Sequence, residues 1–127
     1  MFKRIDHVEI VPGDFEKSLN FYTEILGFEI QMRLKVDRPP LEELIFIKLG
    51  ETSIEMFLVQ NPAPASTEEW QVGCRKIAIE VEDMAQAIAH LKSKGVEIVG
   101  DIAAAETPRR AIIKDPDGLS IELLQRG

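Results

Sequence analysis

Short runs of alternating apolar and polar residues recur along the chain, each followed by a stretch of helical period. Ile5-Asp6-His7-Val8-Glu9-Ile10-Val11 alternates with period two, as a strand with one buried face does. In that strand Asp6, Val8 and Ile10 face one way, and Ile5, His7, Glu9 and Val11 the other. Pro12-Gly13 breaks the run, and Asp14 is placed to cap a helix whose Phe15, Leu19, Tyr22 and Leu26 form one stripe. Gly27 ends that helix. Three strands are then expected, over 29–35, 44–49 and 52–59, with Asp37-Arg38-Pro39-Pro40 as loop and Gly50-Glu51 as turn.

The plan then repeats. Lys76-Ile77-Ala78-Ile79-Glu80-Val81 is a strand with Arg75, Ile77, Ile79 and Val81 on one side and Lys76, Ala78 and Glu80 on the other. Asp83 with Gln86 forms a capping box ahead of a stripe of Met84, Ile88 and Leu91. A strand over 97–104 is expected next, followed by a hairpin of 109–114 and 119–124 closed by Asp115-Pro116-Asp117-Gly118. His7 and Lys76 stand 69 residues apart, as do Asp14 and Asp83, Phe15 and Met84, and Leu19 and Ile88. Ser53-Ile54-Glu55-Met56-Phe57 matches Ser120-Ile121-Glu122-Leu123-Leu124 at a spacing of 67. The fold expected is therefore α+β, two tandem βαβββ modules whose mixed sheets curve to line a cleft. Module 1 covers about 1–60, an aperiodic Pro- and Ala-containing linker 61–72, and module 2 about 73–127, together one domain.

In each module the apolar face of the first strand is the one that can cover the helix stripe. The opposite face then carries His7, Glu9, Ser53 and Glu55 with Phe57 in one copy, and Lys76, Glu80, Ser120 and Glu122 with Leu124 in the other. Burying so polar a face under a second apolar layer would strand unpaired charge, so it is expected to line a hollow. Because the modules are copies, the two hollows are expected to face each other. An imidazole and two carboxylates converging there suit a divalent metal, with waters completing its shell.

Acidic residues outnumber basic ones, 22 to 15, for a net charge of −7. That sign repels phosphate backbones and anionic lipid, so neither nucleic acid nor membrane is an expected partner. No apolar run reaches the length of a membrane span, and acidic residues come too early in the chain for a signal peptide, which points to the cytoplasm. A single cysteine, Cys74, fits a reducing compartment and is expected to be a packed thiol. Trp70 is expected to anchor the linker and His90 to lie on the surface. Arg33, Arg38, Arg109 and Arg110 are each able to clamp a carboxylate or phosphate, but the sequence selects none of them.

The stretches His7-Val8-Glu9-Ile10, Asp14-Phe15-Glu16-Lys17-Ser18-Leu19-Asn20-Phe21-Tyr22 through Ile25-Leu26-Gly27-Phe28, and Asp115-Pro116-Asp117-Gly118 through Ile121-Glu122-Leu123 together resemble the vicinal oxygen chelate superfamily. That superfamily includes glyoxalase I, methylmalonyl-CoA epimerase, extradiol dioxygenases and the bleomycin and fosfomycin resistance proteins. The resemblance covers nearly the whole chain. It implies metal ligands at His7, Glu55 and Glu122, with the fourth ligand position occupied by Lys76 where glyoxalase-like members carry histidine. A protonated lysine does not ligate a cation. Two readings stay open: Lys76 swings aside and Zn, Ni, Co or Mn is held by the other three, or its ammonium replaces the metal's charge and pairs with Glu55 and Glu122.

With a metal, the implied activity is that of a glyoxalase-like (lactoylglutathione lyase-like) lyase or isomerase. It would stabilise an enediolate, with Glu122 as first and Glu55 as second choice of general base. A methylmalonyl-CoA epimerase-like enzyme would use the same chemistry. Dioxygenase chemistry, which needs a second histidine at the Lys76 position, is disfavoured. Without a metal, the implied function is drug-sequestering binding of a small molecule, as in the resistance proteins. Phe57, Leu124, Glu9 and Glu80 are the expected substrate-lining residues, Glu9 and Glu80 either raising the pKa of a neighbouring base or balancing Lys76. The resemblance also implies a homodimer.

Overall fold

The computed structural model describes residues 1–99 and 109–127, which fall into two compact units, Met1–Pro64 and Ala65–Gly127. Each contains a mixed, open β-sheet with a helix, and the architecture is α+β. Among the described residues no helix is long and apolar enough to cross a membrane.

In the first unit, β1 (His7–Ile10), α1 (Phe15–Asn20), β2 (Glu29–Arg38), β3 (Leu41–Leu49) and β4 (Thr52–Val59) follow one another. The sheet order is β1-β4-β3-β2, with β1 and β4 parallel and the other neighbours antiparallel. Asp14 caps α1 as expected, its carboxylate accepting from the Lys17 backbone N–H at 3.1 Å. Phe15, Leu19 and Tyr22 bury against Ile45, Ile47, Ile54 and Met56 on one sheet face. The helix does not run regularly to Leu26. From Phe21 to Ile25 it widens into a π-turn, with the Leu26 N–H bonded to the Phe21 carbonyl at 3.1 Å. Thr23 contributes to the change, since its hydroxyl donates to the Leu19 carbonyl at 2.7 Å and competes with the regular ladder. The wider turn lets the adjacent Phe21 and Tyr22 both face inward, ring edge to ring face, with centroids 5.4 Å apart.

Two strands are longer than their sequence suggests. β2 runs on to Arg38 and β3 begins at Leu41, so the expected four-residue loop narrows to a turn at Pro39-Pro40. Antiparallel pairing holds Arg38 opposite Leu41, and side chains with poor strand propensity follow the ladder once their neighbours are paired.

In the second unit, β5 (Lys76–Glu80), α2 (Met84–Ser93), β6 (Arg110–Lys114) and β7 (Ser120–Leu124) repeat the plan. The order is β5-β7-β6, with β5 and β7 parallel. Val99 bridges Ile112 on the far side of β6, the place β2 takes in the first sheet. The rest of the strand expected over 97–104 lies, from residue 100 on, outside the described residues. Asp83 caps α2 through the Gln86 N–H at 3.0 Å, and Met84 and Leu91 are buried, as are Ala111, Ile113, Ile121 and Leu123 of the sheet. The β6–β7 turn closes on Asp115, whose Oδ1 accepts from the N–H groups of Asp117 and Leu119, both at 2.9 Å. Gly118 sits at φ +86°, a conformation side chains resist.

Residues 60–75 hold neither helix nor strand. Cys74, expected to be packed, is exposed there because it precedes β5 in irregular chain. Trp70, expected to anchor the linker, is 78% exposed, and the Arg75 guanidinium lies over its ring at 4.4 Å. His90 is exposed.

The buried Asp115 turn yields the first prediction. Asp115→Ala leaves two backbone N–H groups without their acceptor and should cost about 2 kcal/mol of unfolding free energy. Urea denaturation measures this, and a midpoint unchanged from wild type would show that the turn does not hold the hairpin.

Candidate functional site

Parallel pairing of first and last strand decides which side chains share a face. In the first unit His7 lies opposite Ser53 and Glu9 opposite Glu55; on β3, Lys48 pairs with Ser53 and Phe46 with Glu55. His7, Glu9, Ser53, Glu55, Phe46 and Lys48 therefore share the sheet face away from α1, and Phe57 and Leu44 follow two positions further along it. His7, Glu9 and Glu55 each offer a ligand atom, all within 4.8 Å of one another. His7 Nε2 stands 3.6 Å from Glu55 Oε1 and 4.0 Å from Glu9 Oε2.

The imidazole is oriented from behind. Its Nδ1 hydrogen-bonds to Asp6 Oδ2 at 2.9 Å, and its ring packs edge-on to Phe46 with centroids 5.1 Å apart. The sequence pattern had placed Asp6 on the opposite face. Because β1 begins only at His7, Asp6 lies before the strand and its carboxylate reaches the ring. A carboxylate on Nδ1 fixes the tautomer and directs the Nε2 lone pair toward the two glutamates, the arrangement common behind histidines that ligate metals. Nitrogen and carboxylate oxygens at these separations suit a divalent ion of the Zn, Ni, Co or Mn kind.

Electrostatics distinguish the carboxylates. Burial pushes the Glu55 carboxyl above its ordinary pKa, the Glu9 charge adds to the rise, and His7 offsets part of it. The His7 imidazole is raised, chiefly by its hydrogen bond to Asp6 and further by Glu55.

In the second unit, Lys76, Ala78 and Glu80 share a face with Ser120, Glu122 and Leu124, and with Arg110, Ile112 and Lys114 of β6. Lys76 Nζ donates to Glu122 Oε1 at 2.8 Å. Arg110 donates to the same oxygen through Nε at 3.1 Å and through Nη2. Lys76 first, and Arg110 next, hold the Glu122 carboxyl below the usual carboxylate range. Arg110, one of the four arginines that the sequence left equivalent, thus clamps a carboxylate of this chain. Arg33 is committed to Glu43 and Glu16, and Arg109 reaches the Gln125 carbonyl. The signal for Arg110 was its register with Leu124, two pairs from Glu122 and on the same face, which is visible only once the hairpin is aligned. Leu124 is half-buried and Glu80 exposed on this face.

Comparison with known proteins follows the same outline. Residues 4–123 match the sequence model of the Glyoxalase/Bleomycin resistance protein/Dioxygenase superfamily. The chain is 30% identical to the uncharacterized protein YaeR of Escherichia coli over 125 residues, 98% of this chain and 97% of that protein. It is 33% identical to a probable lactoylglutathione lyase of Synechocystis over 124 residues, 94% and 92% of the two chains. The structure superposes on the trypanothione-dependent glyoxalase I of Leishmania major with a TM-score of 0.81 at 30% identity, covering 98% of this chain and 87% of that one. TnmS3, an antibiotic binding protein from Streptomyces, shares the fold at a TM-score of 0.75 and 22% identity.

Carboxyl titration of the apoprotein by NMR should separate the two glutamates, Glu55 protonating at a higher pH than Glu122. Glu9→Gln should lower the Glu55 value and Arg110→Met raise that of Glu122. Because the folded pKa of Glu122 is depressed, its stabilising contribution is complete above the unfolded value and is lost as pH falls through the folded one. Arg110→Met should therefore flatten the acid limb of the stability curve. An inverted order of the two glutamates would contradict the environments described.

Proposed function

The chain belongs to the glyoxalase/bleomycin resistance protein/dioxygenase superfamily, and from that premise we propose that it is a metal-dependent, glyoxalase-like lyase or isomerase of small carbonyl compounds. Relatives named as lactoylglutathione lyases, at about 30% identity over nearly the whole chain, support a glyoxalase-like function. The observation that carries the finer reading is the group of His7, Glu9 and Glu55 on an open sheet face, with Asp6 behind the imidazole.

His7 through Nε2, Glu55 and Glu9 are the residues we assign to a divalent cation. When bound, it supplies positive charge for the oxygen anion that develops as an adjacent carbon loses its proton. Glu55 is our general base. Burial raises its proton affinity, and its two oxygens allow one to face the cation while the other takes the proton. Glu122, the first choice from sequence for that role and an expected ligand, receives neither here. Its Oε1 is held by two cations, and a carboxylate stabilised as an anion is a weak base. Phe57, half-buried beside Leu44 on the same face, offers an apolar wall for the substrate. The proposal extends to a homodimer in the cytoplasm. The edge strand β2 exposes Ile30, Met32 and Leu34, an apolar edge that a second chain would cover.

One observation favours a second reading, metal-free binding of a small molecule. Lys76 stands where glyoxalase-like members carry histidine, and its ammonium already balances Glu122.

Elemental analysis of the purified protein tests the proposal. Near-stoichiometric Zn, Ni, Co or Mn is expected, lost in His7→Ala. Glu55→Gln should lower turnover of the methylglyoxal–glutathione adduct by about 10²–10⁴-fold while leaving the circular dichroism spectrum unchanged. A protein that carries no metal and takes up neither added Ni nor Zn would favour the binding reading instead.

A further inference from the structure

The two sheets place a glutamate at the same point, Glu55 opposite Glu9 and Phe46, Glu122 opposite Ala78 and Ile112, yet they surround it with opposite charge. In the first sheet the neighbours are an imidazole and a second carboxylate. In the second they are an ammonium and a guanidinium, both donating to one oxygen. Two cations on one carboxylate leave a positive charge over. Across that open face, Lys76, Arg110 and Lys114 stand against Glu80 and Glu122, in a chain whose net charge is −7.

We propose that the open face of the second sheet is a binding site for a small oxyanion, a carboxylate or phosphate group, built on Lys76 and Arg110 and set in place by Glu122. Glu122 is 9% exposed and acts as a positioning residue, drawing the two cationic side chains toward one point between β5 and β6. The side chains of Lys76 and Arg110 are 28% and 62% exposed, so an anion reaches them from solvent. Among the described residues neither cationic group has a second acceptor. The remaining ammonium N–H groups and the outer guanidinium N–H groups therefore stay available to an incoming oxyanion. A guanidinium and an ammonium side by side are the pairing that carboxylates and phosphates favour. Ala78, small and exposed across from Glu122, leaves the space above the cluster open on the β5 side. Lys114 is anchored to Ser120 at 2.6 Å and contributes charge at the border. Glu80 and the Glu122 charge work against the anion and set its affinity low.

The site depends only on the second unit and stands whether or not a cation binds at His7. The test follows backbone amides of β5, β6 and β7 and the Arg110 side-chain N–H by NMR during separate titrations with inorganic phosphate and with succinate. Saturable shifts at Lys76, Arg110 and Glu122 are expected with at least one probe, and the stronger of the two identifies the preferred oxyanion. Arg110→Met should weaken binding about tenfold, the loss of one charge-assisted hydrogen-bonded partner, while Arg110→Lys retains part of it. Glu122→Gln is the sharper variant. The Gln amide oxygen still accepts from both cations and keeps them together while the competing charge is gone, so anion binding should tighten and metal uptake stay unchanged, and His7→Ala should alter only metal uptake. The proposal is overturned if neither probe saturates on wild type, if Arg110→Met binds as well as wild type, or if Glu122→Gln weakens anion binding. Loss of metal on Glu122→Gln would equally overturn it, by making that glutamate a ligand. Circular dichroism of each variant confirms folding, and Lys76→Met replaces Arg110→Met should the latter not fold.

Discussion

A glutamate on the last strand of each sheet, held against a parallel first strand, is the constraint from which the rest of the chemistry follows. Parallel pairing aligns side chains along one direction, so a register of His7 with Ser53 and Glu9 with Glu55 places these four polar residues on one face. The other face is taken by Ile54 and Met56 and is covered by α1. No exchange of faces is available, because a slip of one residue would turn Glu55 into the core and Met56 out of it. The cost of burying that carboxylate without a partner keeps the second face open.

Once the glutamate is fixed, its neighbours set its character. Glu55 and Glu122 are nearly equally buried, at 8% and 9% exposure, so depth does not distinguish them. The distinction comes from three differences between the copies, the first being Ala78 where the first copy has Glu9. Lys76 stands where the first copy has His7, and Arg110, which pairs with Leu124, stands where the first copy has Leu44, which pairs with Phe57. Burial first, and the Glu9 carboxylate next, leave Glu55 with a raised pKa that the imidazole at 3.6 Å only partly offsets. An ammonium at 2.8 Å and a guanidinium lower that of Glu122. The same strand geometry thus gives the glutamate a raised pKa in one copy and a lowered one in the other.

Much of this was legible in the chain. The spacing of 69 between His7 and Lys76 and of 67 between Glu55 and Glu122 announces the duplication, and period-two alternation assigns the faces correctly. Capping by Asp14 and Asp83 and the Asp115 turn are short-range effects, which is why sequence patterns find them. Contacts set by pairing across the sheet were harder to see. Arg110 and Asp6 act on Glu122 and His7 through hairpin register and through the point at which a strand begins, and neither is written in local periodicity. Leu41 to Glu43 joins β3 because β2 is there to pair with it, although Pro39-Pro40 argued for loop. The exposure of Cys74 and Trp70 was missed for the converse reason. Their residue types favour burial, but no element surrounds them.

The balance of charge in the second copy also accounts for a lysine on a face where the first copy has histidine. An unpaired ammonium on that face would repel any cation and would compete with the site for stability. Glu122 balances its charge, and the pair needs no metal to be satisfied. Arg110 then goes beyond neutrality, and a group that overshoots charge balance on an open face is better explained by a ligand than by folding, since a single cation already meets the structural need. The two sheets share one strand order, β1-β4-β3 and β5-β7-β6. Changing the residues that flank one glutamate is enough to give the copies opposite electrostatic tasks without disturbing a single strand.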